Sequence, residues 1–136
     1  MREWIVPALG TFFCWALWSF IPKLTVRYIN PRSAILFEVL ASLPIALFLL
    51  VSLRFHPETN PRGVALAAAA GLLGFLGAWA YLLAVSRGPV TLVVSFTALY
   101  PALTILLAWL ILREPVTVKQ GAGIVMALVA MVLVAT

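Results

Sequence analysis

Residues 90–136 are VTLVVSFTALYPALTILLAWLILREPVTVKQGAGIVMALVAMVLVAT, and this C-terminal third sets the pattern for the whole chain. It contains two apolar segments, residues 90–112 and 118–135, joined by the polar link Arg113-Glu114-Pro115-Val116-Thr117. About 20 apolar residues in a helix cross the ~30 Å hydrocarbon core of a bilayer. Two such segments around a short charged link therefore predict a transmembrane helical hairpin.

The composition places the rest of the chain in a bilayer as well. Of 136 residues, 65% are hydrophobic and 10% are charged, which leaves too little polar surface to cover a soluble globule. Lys and Arg number 9 against 4 Asp and Glu, but they stand singly at the edges of apolar runs. That distribution favours lipid headgroups as partners and argues against nucleic acid. Cys14 is the single cysteine and His56 has no second ligand nearby, so no metal or cofactor site is predicted.

Five membrane spans are predicted, which makes the chain an all-α integral membrane protein. The third span is rich in small residues spaced four apart, such as Gly74 and Ala78, which lets neighbouring backbones approach closely. Glu3 and the bulky aromatics that follow it argue against a cleaved signal peptide, so the first span is taken as retained. The expected spans are residues 3–21, 33–53, 63–85, 90–112 and 118–135, with Pro22 able to kink the first one instead of ending it.

The distribution of basic residues leaves two arrangements in the membrane open. With five spans the termini lie on opposite sides, and one side then holds five Lys and Arg residues while the other holds four. Such a balance is compatible with insertion in both orientations and an antiparallel dimer. The alternative is one orientation, fixed by a partner or by the depth of Arg2 and Lys119.

Short motifs at both ends of the chain resemble the EamA domain, the repeat unit of the drug/metabolite transporter superfamily. That family has a proline in its fourth helix, a glutamate at the end of the same helix and a glycine opening its fifth. The matching residues here are Pro101 in Tyr100-Pro101-Ala102, Glu114 in Arg113-Glu114-Pro115, and Gly121 in Gln120-Gly121. The first span is similar too, with Gly10, Trp15 and Trp18 ahead of Pro22-Lys23.

The resemblance implies one half of an inverted-repeat transporter for small metabolites or drug-like compounds. Most members of the family carry two such units, so this unit is expected to pair with a second one, as a homodimer or a heterodimer. Alternating access around a cavity near the bilayer midplane is then expected, in the plasma membrane of a bacterium or archaeon. Pro101, Glu114 and Gly121 would have structural or gating roles, although Glu114 at the water boundary is better explained as a solvated or salt-bridged hinge residue.

Glu38 is the clearest ionisable candidate inside a span. It lies seven residues after Pro31, about 10 Å along a helix, and a charge at that depth is costly unless it faces a cavity or a partner. Glu38 could bind a cationic substrate or exchange a proton for it. The alternative is an interfacial acid paired with Arg32 or another loop base.

Aromatic and hydroxyl side chains supply the other substrate-binding candidates. Trp15, Trp18 and Trp79 could form an aromatic wall for an amphipathic or cationic substrate, or they could simply pack in the core. In the fourth span, Thr91, Ser95, Ala98 and Ala102 share one small and mildly polar face near Tyr100. That face could line a pathway or make a close helix contact. Pro101 frees a backbone carbonyl near Thr97, which can bend the helix.

Three functional classes follow from these features. The first is a dimeric transporter, with Glu38, Trp15, Trp18, Trp79, Ser95 and Tyr100 as the residues to test. The second is a non-transporting membrane subunit that stabilises a larger partner. The third, a membrane enzyme of lipid metabolism, would need paired catalytic groups inside the spans, and Glu38 has no second member. No nucleophile with a base and no phosphate-binding glycine loop is apparent, so the chain is not expected to be an enzyme.

Overall fold

The computed structural model of the protein describes residues 4–135, which form helices and connecting turns with no strand among them. Packing divides the chain into two compact units, residues 1–87 and residues 88–136. A π-helical turn, Ala108–Leu112, follows α5. The α-helices are α1 (Ile5–Thr25), α2 (Pro31–Ser52), α3 (Pro61–Arg87), α4 (Val90–Thr97), α5 (Tyr100–Leu107) and α6 (Val118–Ala135).

The lengths of these helices fit a membrane protein. Within residues 4–135, four helical stretches are long and apolar enough to cross a bilayer: Ile5–Thr25, Pro31–Ser52, Pro61–Arg87 and Val90–Leu112. Helix α6 has 18 residues, and 18 residues of helix span about 27 Å, close to the hydrocarbon thickness of ~30 Å. The predicted class, an all-α membrane unit of five helical segments, is therefore confirmed.

Helices α2 and α3 both begin at an Asn-Pro-Arg sequence, in which the asparagine is the N-cap. The side chain of Asn30 accepts a hydrogen bond from the backbone N–H of Ser33 at 2.9 Å. The side chain of Asn60 accepts from Arg62 at 3.0 Å and from Gly63 at 3.2 Å. Each asparagine thus caps amide groups that have no partner inside the helix, and the proline that follows is already set at a helical φ.

Helix α2 and the π-helical turn end in a similar way, at an arginine with a left-handed backbone. Arg54 has a φ of 50° and Arg113 a φ of 55°. At the end of α2, the N–H of Arg54 donates to Val51 O and the N–H of Phe55 donates to Leu50 O, which closes the last turn. A positive charge just past the last turn also suits the negative end of the helix dipole, which partly offsets the unfavourable φ.

In the first unit, the buried side chains gather at one end of the three helices, which we call the closed end. They are Pro22 near the end of α1, Ala34 near the start of α2, and Ala78, Tyr81, Leu82 and Val85 in the last turns of α3. The residues of α3 have the spacing of a single helix face, so one face of its C-terminal half packs against α1 and α2. The N-terminal half of α3 and the C-terminal half of α2 are exposed within this unit.

In the second unit, the fourth span is interrupted. Helix α4 ends at Thr97, residues 98–99 form a turn, and α5 starts at Tyr100 with Pro101 in its first turn. The Thr97 hydroxyl donates to Val93 O at 2.9 Å and also bonds Val94 O at 3.1 Å. Pro101 has no N–H to bond the preceding turn, and the Thr97 hydroxyl competes for its carbonyls, so both residues favour the interruption.

Helix α6 starts with a capping box. The backbone N–H of Thr117 donates to Gln120 Oε1 at 2.9 Å, while the N–H of Gln120 donates to Thr117 Oγ1 at 3.3 Å. Each side chain therefore satisfies a backbone amide of the other residue. The capping box therefore determines where the link 113–117 ends and α6 begins.

The observed helix bounds differ from the expected ones mainly at prolines. Helix α1 continues through Pro22 to Thr25, and its expected first residue, Glu3, lies outside the described residues. Helices α2 and α3 begin two residues earlier than expected, at Pro31 and Pro61, because proline is favoured in the first turn of a helix. Residues 90–112, expected as one helix, comprise α4, α5 and the π-helical turn.

The Asn60 cap can be tested by substitution. We expect Asn60→Ala to lower the free energy of unfolding by about 1 kcal/mol, because the backbone amides of Arg62 and Gly63 lose their acceptor. Asn60→Asp should keep most of this stabilisation, because aspartate also accepts hydrogen bonds at this position. Unfolding in mixed micelles measures the effect, and faster hydrogen exchange at Gly63 would locate it. The exposed neighbour Thr59 gives the control, Thr59→Ala; equal losses for both alanine variants would contradict the capping role.

Candidate functional site

The first unit contains a groove of about 260 Å³ between α1 and α2. Its lining residues on each helix are spaced three or four apart, so each helix presents one face to the groove. From α1 come Trp18, Ile21, Pro22 and Thr25, and from α2 come Ala34, Phe37, Glu38 and Ala41. Most of this lining is apolar, and Glu38 is the one residue in it that carries a formal charge.

Glu38 and Trp18, two residues singled out in the sequence, meet in this groove. Both side chains line it, Trp18 from α1 and Glu38 from α2. Glu38 is half-buried and the indole of Trp18 is 42% exposed. Part of the Glu38 side chain and part of the indole therefore remain accessible to a ligand.

Tyr81 of α3 supports the Trp18 ring. The two ring centroids lie 5.5 Å apart with a 30° angle between their planes. The Tyr81 hydroxyl donates to the backbone oxygen of Ser19 at 2.6 Å, and the tyrosine is only 7% exposed. This hydrogen bond fixes the tyrosine against α1, so the position of Trp18 depends on α3.

Lys23 makes a second tie between α1 and α3. Its Nζ donates to the backbone oxygen of Val85 at 2.7 Å. Val85 lies in the last turn of α3, where backbone carbonyls have no partner inside the helix and a cation is favoured by the helix dipole. Lys23 thereby caps α3 from a neighbouring helix.

Trp18, Glu38 and Tyr81 lie at one level of the closed end. Trp18 precedes the last residue of α1 by seven positions, Glu38 follows the first residue of α2 by seven, and Tyr81 precedes the last residue of α3 by six. At 1.5 Å per residue, each lies about 9–10 Å from the end of its helix, roughly a third of the hydrocarbon thickness. Three helices thus place one carboxylate and two aromatic rings at the same depth.

The remaining predicted residues occupy other positions. Trp15 and Trp79 are exposed within the first unit, on α1 and α3, outside the described lining of the groove. In the second unit, the Ser95 hydroxyl donates to Thr91 O at 2.8 Å within α4. Tyr100 begins α5 and is exposed within that unit. The structure therefore joins Glu38 with Trp18 in one groove of the first unit.

The residues matched to the family motif lie in the second unit. Pro101 stands just after the interruption between α4 and α5. Gly121 is in the first turn of α6, and a Cβ atom placed there would meet nothing within 4 Å. Glu114 lines a cavity of about 440 Å³ together with Trp109, Gln120 and Gly123.

We regard the smaller groove at Glu38 as the better candidate site. Glu114 is exposed and follows the end of the fourth span, where water and salt screen its charge. Glu38 lies inside a span, where a charge costs roughly 2.5–3.5 kcal/mol at the centre of a helix even on the lenient scale. A residue kept at such a cost is a stronger indication of function than a larger cavity at the boundary.

A comparison with protein families supplies the class of the chain. The model of the EamA-like transporter family matches residues 2–136. The chain belongs to the EamA-like transporter family. No curated protein and no solved structure matches it. The resemblance predicted from Pro101, Glu114 and Gly121 is thereby confirmed, and so is the placement of this EamA unit in a membrane as a member of a transporter family.

Sequence reasoning did not select three residues that shape the EamA site: Tyr81, Lys23 and Phe37. Tyr81 carried one usable signal, since Ala78, Tyr81, Leu82 and Val85 repeat with the spacing of a buried helix face. Phe37 precedes Glu38 in the chain and lines the same groove. Lys23 carried no such signal, because a basic residue at the end of a span is ordinarily explained by lipid headgroups.

The Tyr81 hydrogen bond of this EamA unit is testable with a matched pair of variants. We expect Tyr81→Phe to lower the free energy of unfolding by about 0.6 kcal/mol, the average for hydrogen bonds between membrane helices, and by at most about 1.7 kcal/mol. The same change at Tyr28, which lies in the α1–α2 link and is 86% exposed, should have no measurable effect. Unfolding of the purified protein in mixed micelles compares the two variants. Equal stability of Tyr81→Phe and the unmodified protein would show that this bond contributes nothing.

Proposed function

We propose that this EamA unit transports small metabolites or drug-like compounds across a membrane, as a dimer that works by alternating access. The observation that carries the proposal is the match of residues 2–136 to a family of transporters. The bacterial or archaeal plasma membrane is the proposed location. The partner is a second five-helix unit, either the same chain or a related one.

The groove between α1 and α2 is the proposed part of the substrate path in the first unit. It brings a carboxylate, an indole and the Phe37 ring to one place inside the spans. We propose four further residues for the path. Trp15 and Trp79 belong to the first unit, where they are exposed, and Ser95 and Tyr100 belong to the second. Pro101, Glu114 and Gly121 are proposed as structural or gating positions, because Pro101 adjoins the break in the fourth span and the other two lie near its junction with α6.

The packing of the first unit suits alternating access. Its buried residues and its two ties between α1 and α3 lie at the closed end, whereas the opposite halves of α2 and α3 are exposed within the unit. A transporter of this type needs a site that is sealed on one side while it is open on the other. We propose that the closed end provides the seal.

Glycines on α3 favour a close contact with a second unit. A Cβ atom added at Gly71, Gly74 or Gly77 would meet no atom within 4 Å. Packing within the first unit therefore gives no reason for glycine at these positions, although glycine in a helix costs about 0.5–1 kcal/mol relative to alanine. Small residues in membrane helices allow the backbone of another helix to approach closely, so a dimer contact would explain them.

A non-transporting subunit is the second candidate, and the same open glycines favour it, since they would equally suit a different membrane partner.

Uptake by the purified protein alone separates the transporter from the non-transporting subunit. In proteoliposomes that contain only this chain, we expect mass spectrometry of a metabolite mixture to find at least one compound enriched over empty liposomes. Glu38→Gln should reduce that uptake about tenfold. Glu58→Gln, which removes the same charge from an exposed position in a loop, should leave the uptake unchanged. No enrichment of any compound by a folded protein would favour the subunit.

The dimer contact is tested at Gly74. We expect Gly74→Leu to leave the helical content unchanged, because nothing in the first unit occupies the space, and to weaken dimer formation at least about tenfold by keeping the helices apart. Leu73→Phe, at a neighbouring exposed position, is the control and should dimerise normally. Native mass spectrometry or cross-linking in lipid measures the dimer. A Gly74→Leu protein that dimerises like the control would remove this contact.

Labelling of both termini distinguishes the parallel from the antiparallel arrangement. Single cysteines at positions 1 and 136, in a chain with Cys14→Ala, are treated with a reagent that does not cross the membrane. Reaction of each terminus from both sides would establish insertion in both orientations, as an antiparallel dimer requires. Reaction of each from one side only would establish a single orientation, which removes the antiparallel homodimer and leaves a parallel dimer, a monomer or a heteromer.

A further inference from the structure

We propose that the groove between α1 and α2 selects compact organic monocations, such as small alkylammonium ions, with the Glu38 carboxylate as their counter-ion. The proposal deepens the transport function above and rests on it only in taking this groove as part of the substrate path. It narrows the substrate class from metabolites and drug-like compounds in general to one kind of charge and one range of size.

The sign of the charge follows from the groove itself. Glu38 is the one formally charged residue in the described lining, and it lies about 10 Å from the start of α2. An anion would meet the repulsion of this carboxylate in a medium that screens charges poorly. A neutral ligand would displace water from the carboxylate and offer no charge in return. A cation compensates the carboxylate and is therefore the preferred ligand.

The lining favours an organic cation over a metal ion. Ions such as Ca²⁺ or Mg²⁺ require six or more oxygen ligands, and this groove supplies one carboxylate among apolar and aromatic side chains. Among residues 4–135 there is also no cluster of three His, Cys, Asp or Glu side chains. An alkylammonium ion carries its own apolar surface, which Ile21 and Ala41 can contact, and its positive charge is attracted to the rings of Trp18 and Phe37.

The volume and the single acid limit the ligand further. Pockets for drug-sized ligands run from roughly 300 to 1,000 Å³, and this groove measures about 260 Å³. A compact ion fits that space better than a multi-ring drug. One carboxylate balances one positive charge, so a monocation is favoured over a polyamine. The Trp18 ring lies against the Tyr81 ring, which gives the groove a preset aromatic wall.

The decisive measurement compares a cation with a neutral molecule of the same shape. Choline and 3,3-dimethylbutan-1-ol differ in one atom, a charged nitrogen in place of a carbon, and both dissolve in water. Equilibrium dialysis of the full chain in lipid nanodiscs measures their binding, with tetramethylammonium, tetraethylammonium and acetate as further probes. We expect saturable binding of at least one of the three cations, binding of 3,3-dimethylbutan-1-ol at least about tenfold weaker than that of choline, and none of acetate.

Variants then locate the binding at Glu38. Glu38→Gln should weaken binding of the cations about tenfold or more and abolish the preference for choline over 3,3-dimethylbutan-1-ol. Glu38→Asp keeps the charge and guards against misfolding of the glutamine variant, and it should retain the preference. Trp18→Leu should weaken binding about three- to tenfold through loss of the ring, and Trp18→Phe by less. Glu58→Gln, the control for net charge, should bind like the unmodified protein.

The outcomes separate this proposal from the transport function. No saturable binding of any cation, equal binding of choline and 3,3-dimethylbutan-1-ol, or full binding by a folded Glu38→Gln protein would each overturn the cation site. If proteoliposomes then still accumulate a neutral or anionic metabolite, transport stands and only the substrate class is wrong. Binding of cations with no uptake of any compound would overturn transport by a homodimer of this chain and leave the site in place.

Discussion

The arrangement of the first unit depends on two side-chain donors that reach the backbone of a neighbouring helix. In hydrocarbon, burial of apolar surface gives helices little reason to associate, so close packing and hydrogen bonds must hold them. The Tyr81 hydroxyl, 2.6 Å from Ser19 O, and the Lys23 ammonium, 2.7 Å from Val85 O, supply such bonds between α1 and α3. The buried residues lie around them at the closed end. These ties therefore add hydrogen bonding to the van der Waals packing that keeps α3 beside α1.

Pro22 explains why α1 is suited to these contacts. A proline within a helix cannot bond the carbonyl four residues earlier, here that of Trp18, and its ring pushes that turn outward. The carbonyl of the adjacent residue, Ser19, accepts the Tyr81 hydroxyl. Pro22 is also buried beside the groove, so the same residue loosens the helix and fills space at the closed end. The Trp18 indole lies against Tyr81 and lines the groove together with Glu38, so it connects the packing of α3 to the groove between α1 and α2.

The sequence predicted the architecture much better than the site. Apolar runs of about 20 residues are a one-dimensional signal, so the class and the approximate spans followed from it, and short motifs sufficed for the family. Glu38 and Trp18 each stood out, one as a charge inside a span and the other as part of the family's first helix. Their meeting could not be predicted, because it depends on the rotation of α1 relative to α2.

Local hydrogen bonding accounts for the rest of the difference between sequence and site. Ser95 looked like a polar lining residue, but its hydroxyl bonds Thr91 O within its own helix, as serine and threonine in membrane helices commonly do. The role of Lys23 depends on where α3 ends, since it bonds a terminal carbonyl of that helix. The exposure of Trp15 and Trp79 within the first unit likewise depends on which helix faces pack, and hydropathy carries no information on that choice.

The strength of the closed end bears on the alternating access that we propose. A protein that exchanges between two states needs them to differ by no more than a few kcal/mol, or one state is never populated. Hydrogen bonds between membrane helices contribute about 0.6 kcal/mol each on average, so the two ties to α3 amount to roughly 1 kcal/mol. The buried apolar side chains add packing, but they are few: Ala34, Ala78, Leu82 and Val85, besides Tyr81 and Pro22. A seal of this size can define one state and still open, whereas burial along the full length of the three helices would hold the groove permanently shut.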